Sequence, residues 1–183
     1  MKRASGFITL ALIVAVGVLA SASLFTVHQT QQALVLQFGD PRRVVTEPGL
    51  NVKVPFVQNV IFIDKRILDL DTPAEELIAS DQKRLVVDAF TRYRITDPLQ
   101  FYKALRDERR ARSRLAATVS SSMRSVLGEE TFQAVVRDKR DDLMLRIREL
   151  VNEQTGDFGI EIVDVRIRRA DLPAANSQAI YLR

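Results

Sequence analysis

The longest hydrophobic run in the chain is an unbroken apolar segment close to its start. Residues 7 to 27 read FITLALIVAVGVLASASLFTV, and none of their side chains ionises. A helix of this length would extend about 31 Å at about 1.5 Å per residue, which matches the hydrocarbon thickness of a bilayer. Lys2 and Arg3 precede the segment and no acidic residue does. Because basic flanks stay in the cytoplasm, we predict a transmembrane anchor with residues 1 to 6 cytoplasmic and the chain after His28 exported.

The same segment also fits a cleaved secretory signal peptide. Lys2 and Arg3 would then form its basic region, and Ala20-Ser21-Ala22 would provide the cleavage site. Apolar residues continue past that site at Leu24 and Val27, where a mature N-terminus is usually polar. The retained anchor is therefore the preferred interpretation, and a soluble exported domain is the alternative.

Short alternating patterns predict strands in the part of the chain that follows. The first covers residues 32 to 38 as a half-buried strand, with turn residues at positions 39 to 41. The second begins after the Pro48-Gly49 turn, and its apolar face carries four alternate residues, Leu50, Val52, Val54 and Phe56. Since Pro55 has no N–H to donate, pairing is predicted to weaken there or the strand to lie at a sheet edge, and the edge position is preferred.

Residues 60 to 96 predict two further strands around a connection. The first covers residues 60 to 70 and changes phase near residues 64 to 66, which indicates a bulge or a bend. Residues 72 to 77 fit a connection. Residues 84 to 96 give the clearest strand, and one of its faces carries Leu85, Val87, Ala89, Thr91, Tyr93 and Ile95.

Helical spacing begins at Asp97-Pro98, which supply an N-cap and a first-turn proline. One helix is predicted to begin at Asp97-Pro98. Three more are predicted at residues 109 to 127, with Gly128 as the stop, at residues 132 to 136, with Thr131 as the cap, and at residues 139 to 154. In the longest, the apolar stripe comprises Leu115, Val119, Met123 and Val126.

A last strand over residues 159 to 169 shifts phase between Ile162 and Val163, so a bulge or partial cover on both faces is expected. Residues 173 to 183 predict the start of another helix. Because this helix lacks a stop signal, we expect the native protein to continue. The order of strands, helices, one strand and a helix predicts an α+β fold.

Composition narrows the chemistry. The 183 residues include no cysteine, which excludes disulfides, thiolate metal sites and a cysteine nucleophile. The sole histidine, His28, lies beside the apolar segment without a visible catalytic partner. Three consecutive serines, Ser120 to Ser122, lack a nucleophile-elbow motif, although a Ser/Lys dyad stays open. Acid pairs at Glu129-Glu130 and Asp141-Asp142 fit helix termini. No catalytic, cofactor-binding or metal-binding residue is predicted.

The densest basic run, Arg106 to Arg114, reads RDERRARSR. Asp107 and Glu108 lie inside it and offer local ion pairs, so a solvated helix face is the preferred interpretation. Attraction to anionic lipid headgroups or to an acidic partner is the alternative. Export from the cytoplasm, together with the lack of aromatic residues in the run, argues against a nucleic-acid partner.

Three stretches in this order resemble the band 7 family, also called SPFH after stomatin, prohibitin, flotillin and HflK/C. They are EPGLNVKVPF at residues 47 to 56, VVDAFTRYRITDP at residues 86 to 98, and GIEIVDVRIRRADLP at residues 159 to 173. Within the family, the chain most resembles the bacterial HflC subgroup. The resemblance implies an SPFH domain over residues 28 to 172, with a strand-rich part near the membrane and a mixed α/β part. It also implies a long helix starting at residues 173 to 183.

The resemblance further implies a function. Family members of this subgroup are bacterial inner-membrane proteins that assemble with an HflK-like subunit into a scaffold around an FtsH-like membrane protease. The implied role is regulation by a hetero-oligomer without cofactors, and a peptidase activity of the chain's own is the alternative. The resemblance also implies that the strand carrying Leu50 and Phe56 belongs to the part of the domain that, in relatives, lies against the outer leaflet.

Overall fold

The computed structural model describes residues 2 to 171, with side chains described from Leu12 onward. The chain divides into two compact units, Met1–Lys65 (unit 1) and Arg66–Arg183 (unit 2). The predicted helix over residues 173 to 183 lies outside the described residues. The α+β class predicted from the element order is confirmed for the part that is described.

Unit 1 begins with helix α1, Lys2–Ser23, which passes without a break into strand β1, Leu24–Val27. The prediction that residues 7 to 27 are helical throughout is therefore wrong at its C-terminal end. The last four residues leave the helix because their backbone groups pair with another strand of unit 1. From Leu12 to Asp171, no helix is both long enough and apolar enough to cross a membrane.

The partner of β1 is strand β4, Gly49–Val52, and the two form an antiparallel two-stranded sheet. Gly49 has a positive φ of 141°, as the Pro48-Gly49 turn predicts. Because β4 pairs with one strand, the predicted edge position is confirmed. The predicted extent of this strand to Phe56 is wrong, since residues 55 to 57 form a turn around Pro55.

A three-stranded antiparallel sheet completes unit 1, in the order β3-β2-β5. Its strands are β2, Gln31–Gln37; β3, Asp40–Val45; and β5, Gln58–Asp64. The central strand β2 is buried at all five interior positions, so the prediction of a half-buried strand is wrong. One core cluster of unit 1 comprises Val27, Ala33, Val35 and Val45, with Phe25 and Val60 packed against it.

Unit 2 contains a second three-stranded antiparallel sheet, in the order β6-β7-β8. The strands are β6, Leu68–Ile78; β7, Arg84–Ile95; and β8, Ile160–Asp171. Residues 72 to 77 belong to β6, which corrects their prediction as a connection. The phase change near residues 64 to 66 is the break between β5 and β6, so the predicted single strand over residues 60 to 70 is two strands.

Strand β7 follows its predicted alternation, with all six positions of its apolar face buried. Strand β8 carries the predicted bulge, because its register against β7 shifts between Asp164, which faces Arg92, and Ile162, which faces Tyr93. Val163 is the extra residue. It therefore switches the strand from the phase of Ile162 to that of Val165, and both stay buried.

Helices cover one face of this sheet. They are α2, Pro98–Ala104; α3, Glu108–Gly128; a π-helical turn, Ala134–Asp138; α4, Arg140–Thr155; and a 3-10 turn, Gly156–Phe158. The Asp97 carboxylate accepts hydrogen bonds from the amides of Leu99 and Gln100, which confirms the predicted cap. The predicted stripe of α3 is buried, as are Leu143, Ile147 and Val151 of α4.

Candidate functional site

Exposed hydrophobic side chains of unit 1 gather where α1 ends. The amide of Lys53 donates a hydrogen bond to the carbonyl of Ser23, the last residue of α1, at 2.7 Å. Immediately beside this bond, Leu24 of β1 faces Val52 of β4 across the ladder. Val54 follows one residue after Lys53. Leu24, Val52 and Val54 are 46%, 60% and 52% exposed, so the end of α1 is bordered by apolar surface.

Two phenylalanines extend this surface. The turn that contains Phe56 leads into Gln58, the first residue of β5, and Gln58 faces Gln37, the last residue of β2. Phe38 follows Gln37 directly, so both turns lie at the same end of unit 1. Phe38 is 83% exposed and Phe56 is 89% exposed. We call Leu24, Phe38, Val52, Val54 and Phe56 the apolar end.

Backbone conformation fixes both phenylalanines on the outside. Phe38 has φ of 53° and Phe56 has φ of 66°, a region that bulky residues rarely occupy. Phe38 and Gly39, also with positive φ at 92°, are the two residues of the β2–β3 hairpin turn, whose primed geometry suits the strand twist. Two large aromatic side chains thus stand in strained turns with no core to fill, which is a pattern typical of a binding surface.

The apolar end was found in part from the sequence. Val52, Val54 and Phe56 were predicted on one face, whereas Leu24 was assigned to the membrane helix and Phe38 to the predicted strand over residues 32 to 38. The signal for Phe38 is the glycine that follows it, because an aromatic residue before glycine can occupy a two-residue hairpin turn. Leu50, also predicted on this face, is 68% exposed two residues before Val52.

The chain leaves unit 1 at its other end. Asp64, the last residue of β5, faces Gln31, the first residue of β2. The next amide, that of Lys65, donates to the carbonyl of Thr30 at 2.9 Å. The helix α1 and the exit of the chain therefore lie at opposite ends of the β2–β5 pair.

Residues considered for catalysis do not assemble into a site. His28 is exposed in a turn, where its carbonyl accepts a hydrogen bond from the amide of Gln31. Ser122 is 1% exposed, and its hydroxyl has no hydrogen-bond partner. Ser121 is exposed on the same helix. In the described part of the chain, no three His, Cys, Asp or Glu side chains cluster as metal ligands would.

The basic run of α3 forms the local ion pairs expected of a solvated helix. The Asp107 carboxylate caps α3 through the amide of Arg110 at 2.9 Å and lies 3.5 Å from the guanidinium Nε of the same arginine. Glu108 lies 3.6 Å from Nε of Arg112. All these side chains are more than half exposed, so the pairs contribute little to stability.

The open face of the sheet in unit 2 carries a network of paired charges around one aromatic ring. The guanidinium groups of Arg92 and Arg168 lie 5.7 Å and 5.5 Å from the centroid of Phe90. Arg168 is 2.8 Å from Asp71 and 3.4 Å from Asp88. The hydrogen bond that Arg168 donates to Asp71, followed by the charge of Asp88, raises the pKa of Arg168 above its ordinary value. The arginines and aspartates of this face therefore neutralise one another.

Comparison with known proteins gives the family. The family described as "SPFH domain / Band 7 family" matches residues 25–182, which include most of β1, strands β2 to β8 and the described helices after α1. The chain belongs to the SPFH domain / Band 7 family. The resemblance predicted from the three sequence stretches is therefore confirmed, and the SPFH fold of mixed helices and strands is the framework that carries the apolar end.

Curated relatives of the SPFH chain are named HflC. "Protein HflC" of Buchnera aphidicola is 32% identical over 185 residues, covering 89% of this chain and 60% of the relative. "Protein HflC" of Haemophilus influenzae is 31% identical, with 88% and 59% covered. "Modulator of FtsH protease HflC" of Escherichia coli K12 is 28% identical over 221 residues, with 95% and 66% covered. The chain thus spans 59% to 66% of the length of these relatives.

Proposed function

We propose that this chain is a membrane-anchored, non-catalytic scaffold subunit of the HflC type. In this proposal it assembles with an HflK-like subunit into a hetero-oligomer, and the assembly modulates an FtsH-like membrane protease. The observation that carries the proposal is the direct continuation of α1 into the apolar end, because one continuous structure then offers both an anchor and a surface that suits a lipid boundary. The name of the Escherichia coli relative, "Modulator of FtsH protease HflC", supports the regulatory role.

The anchor is proposed from α1. From Phe7 to Ser23 the helix contains no ionisable residue, and its 22 residues from Lys2 would extend about 33 Å at about 1.5 Å per residue. The described aliphatic side chains from Leu12 to Leu19 are exposed around the helix, so unit 1 does not bury them. An exposed helix that is apolar on every side is typical of a lipid environment.

The topology follows from charge and from the position of the apolar end. Lys2 and Arg3 would keep residues 1 to 6 in the cytoplasm, and the SPFH domain over residues 28 to 172 would lie in the periplasm. Val52 and Phe56 would then rest on the outer leaflet of the bacterial inner membrane, beside the exit of α1. Residues 173 to 183 would begin the helix that follows the domain.

The proposed mechanism is steric and needs no proton transfer. An anchor confines each subunit to the plane of the membrane, which raises its effective concentration toward its neighbours. Domains packed side by side can then form a wall that limits which substrates reach the protease. The failure of His28 and Ser122 to meet catalytic partners in the described residues supports this mechanism over hydrolysis.

The proposal is tested by isolating the tagged full-length protein from intact membranes after crosslinking. We expect an HflK-like protein and an FtsH-like protease to be recovered with it. Leu12→Asp, in the middle of the apolar run, should abolish this recovery because it prevents insertion of α1 into the membrane, whereas Leu12→Val should leave the recovery intact.

Three outcomes would contradict the proposal. Release of the protein from membranes by alkaline washing would show that it is not anchored. A mature protein beginning at Ser23 would show that α1 is a signal peptide. Peptide cleavage by the purified protein, retained without the protease and lost on Ser122→Ala, would show that the chain is itself a peptidase.

A further inference from the structure

Unit 1 has an open cleft of about 270 Å³ at the apolar end. Its cationic lining comes from Arg42, Arg43 and Lys53, and its apolar lining includes Val52 and Val54. The lining of the cleft therefore combines three positively charged residues with two side chains of the apolar end.

No carboxylate lines this cleft. Arg42, Arg43 and Lys53 also form no ion pair with an acidic residue in the described part of the chain. In unit 2, by contrast, the exposed arginines of the sheet meet carboxylates, as Arg94 does with Glu161 at 2.7 Å. Cations that line one cleft without a carboxylate beside them attract an anion.

Hydrogen bonds hold the lining in place. Nη2 of Arg43 donates to the carbonyl of Val52 at 2.7 Å, which ties the guanidinium to the end of β4. The amide of Val54 donates to Oε1 of Gln58 at 2.8 Å, which fixes the backbone after Lys53. Because one N–H donor of Arg43 is used by this carbonyl, Arg42 and Lys53 are the cations that offer all their donors to a ligand.

The position of the cleft selects the kind of anion. The amide of Lys53 is bonded to Ser23, so the cleft lies beside the residue at which α1 ends. If α1 spans the bilayer, its end lies at the level of the lipid headgroups. A phosphate group there would meet the cations, while Val52 and Val54 would contact the apolar part of the same lipid.

We propose that this cleft binds the phosphate of an anionic phospholipid headgroup, with Arg42 and Lys53 as its main ligands. Guanidinium and ammonium groups suit phosphate oxygens, the first by its planar fork and the second as a point charge. A zwitterionic lipid is disfavoured because its choline cation would be repelled by the same side chains. The inference rests on the membrane placement proposed above, and it adds the chemistry of the lipid that the subunit selects.

Lipid retention by the full chain tests this inference. The protein is inserted into nanodiscs of equal parts phosphatidylglycerol and phosphatidylcholine, and the lipids that stay bound on release are counted by native mass spectrometry. We expect preferential retention of phosphatidylglycerol. Replacing Arg42→Gln together with Lys53→Gln should reduce the preference by about 5-fold for each removed cation, or about 25-fold for both.

A matched variant controls for net charge. Lys65→Gln with Lys103→Gln removes the same charge from two residues that do not line the cleft, and its phosphatidylglycerol preference should equal that of the unmodified chain. Competition by millimolar inorganic phosphate distinguishes the source of the anion. Retention of the lipid in its presence supports the inference, and replacement of the lipid by free phosphate would overturn it.

The remaining outcomes separate this inference from the proposed function. A chain that inserts into the discs but retains both lipids in their supplied ratio would overturn the lipid site and leave the anchor standing. Equal loss of preference in both double variants would also overturn it, since the effect would be one of net charge. A chain that stays outside the discs would refute the anchor and the lipid site together.

Discussion

Replacing Phe56 with tryptophan gives a direct probe of the apolar end. The chain contains no tryptophan, so Phe56→Trp creates a single emitter at a position that is 89% exposed. If the apolar end rests on a bilayer, the indole enters the interfacial layer, where tryptophan is favoured. Its fluorescence would then shift to shorter wavelength and would be quenched by lipids that carry bromine near the headgroup.

The expected size of the effect follows from exposure and distance. Burying a phenylalanine-sized side chain that is almost fully exposed is worth about 2 kcal/mol, which favours the inserted state about 30-fold. Phe56 lies three positions after Lys53, whose amide is bonded to the end of α1. At up to about 3.6 Å per residue, the indole is attached within about 11 Å of that point. We therefore expect almost all tryptophan side chains at position 56 to be inserted into the membrane interface.

Phe62→Trp provides the control within the same unit. Phe62 is 44% exposed and faces Ala33, four residues beyond the Gln58 end of β5. At about 3.3 Å per residue it lies about 13 Å farther along the strand, so brominated lipid should quench it far less. Water-like emission from Trp at position 56 in lipid, or equal quenching at both positions, would refute the assignment of this surface to the bilayer.

Three further predictions concern the stability and electrostatics of unit 2. Gly159→Ala should lower the free energy of unfolding in urea by about 3 kcal/mol, because φ is 67° and a Cβ would lie 2.4 Å from the Asp97 carbonyl oxygen. Gly156→Ala is the control, because a Cβ there meets open space, and it should change the free energy of unfolding by less than about 1 kcal/mol. Equal effects of the two changes would contradict this prediction. Asp97→Ala should cost about 1 kcal/mol, recovered largely by Asp97→Asn, since two amides lose their acceptor. The hydrogen bond from Lys83 lowers the pKa of Asp81. The contribution of this pair to stability is therefore present above the unfolded pKa of Asp81 and is lost as pH falls through the folded pKa. Lys83→Met should raise the NMR titration midpoint of Asp81, and an unchanged midpoint would refute the pairing.

Elements with a strong local pattern were predicted well. Strand β7 alternates apolar and polar residues over 12 positions, and the structure buries every predicted apolar one. Asp97-Pro98 and the stripe of α3 likewise depend on local spacing. The Val163 bulge was visible because two apolar phases meet within one strand. In each case the signal lay in neighbouring residues, and no distant partner was needed to read it.

Elements that depend on a distant partner were missed. Strand β3 reads DPRRVV and has no apolar alternation, yet it pairs with β2. Residues 72 to 77 were predicted as a connection, but they belong to β6, whose ladder skips Pro73 and Ala74 at a bulge between Thr72 and Glu75. The end of α1 at Ser23 is set by the pairing of β1 with β4. None of these partners can be identified from local periodicity.

The candidate site shows the same division. Val52 and Phe56 were assigned to one surface from their spacing, but the turn at Phe38 joins them only because β2 pairs with β5. The cleft formed by Arg42 and Lys53 also requires β3 and β4 to meet, although these residues are 11 positions apart in the chain. Surfaces built from several strands are therefore the part of the candidate site that could be recognised only from the structure.

The most direct test of the central claim is the rate at which an FtsH-like protease degrades a membrane-protein substrate in proteoliposomes. The rate is measured with the protease alone, with this chain, and with this chain together with its HflK-like partner. The account predicts a changed rate when both subunits are present and no degradation by the two subunits without the protease. An unchanged rate with both subunits inserted, or degradation of the substrate without the protease, would contradict it.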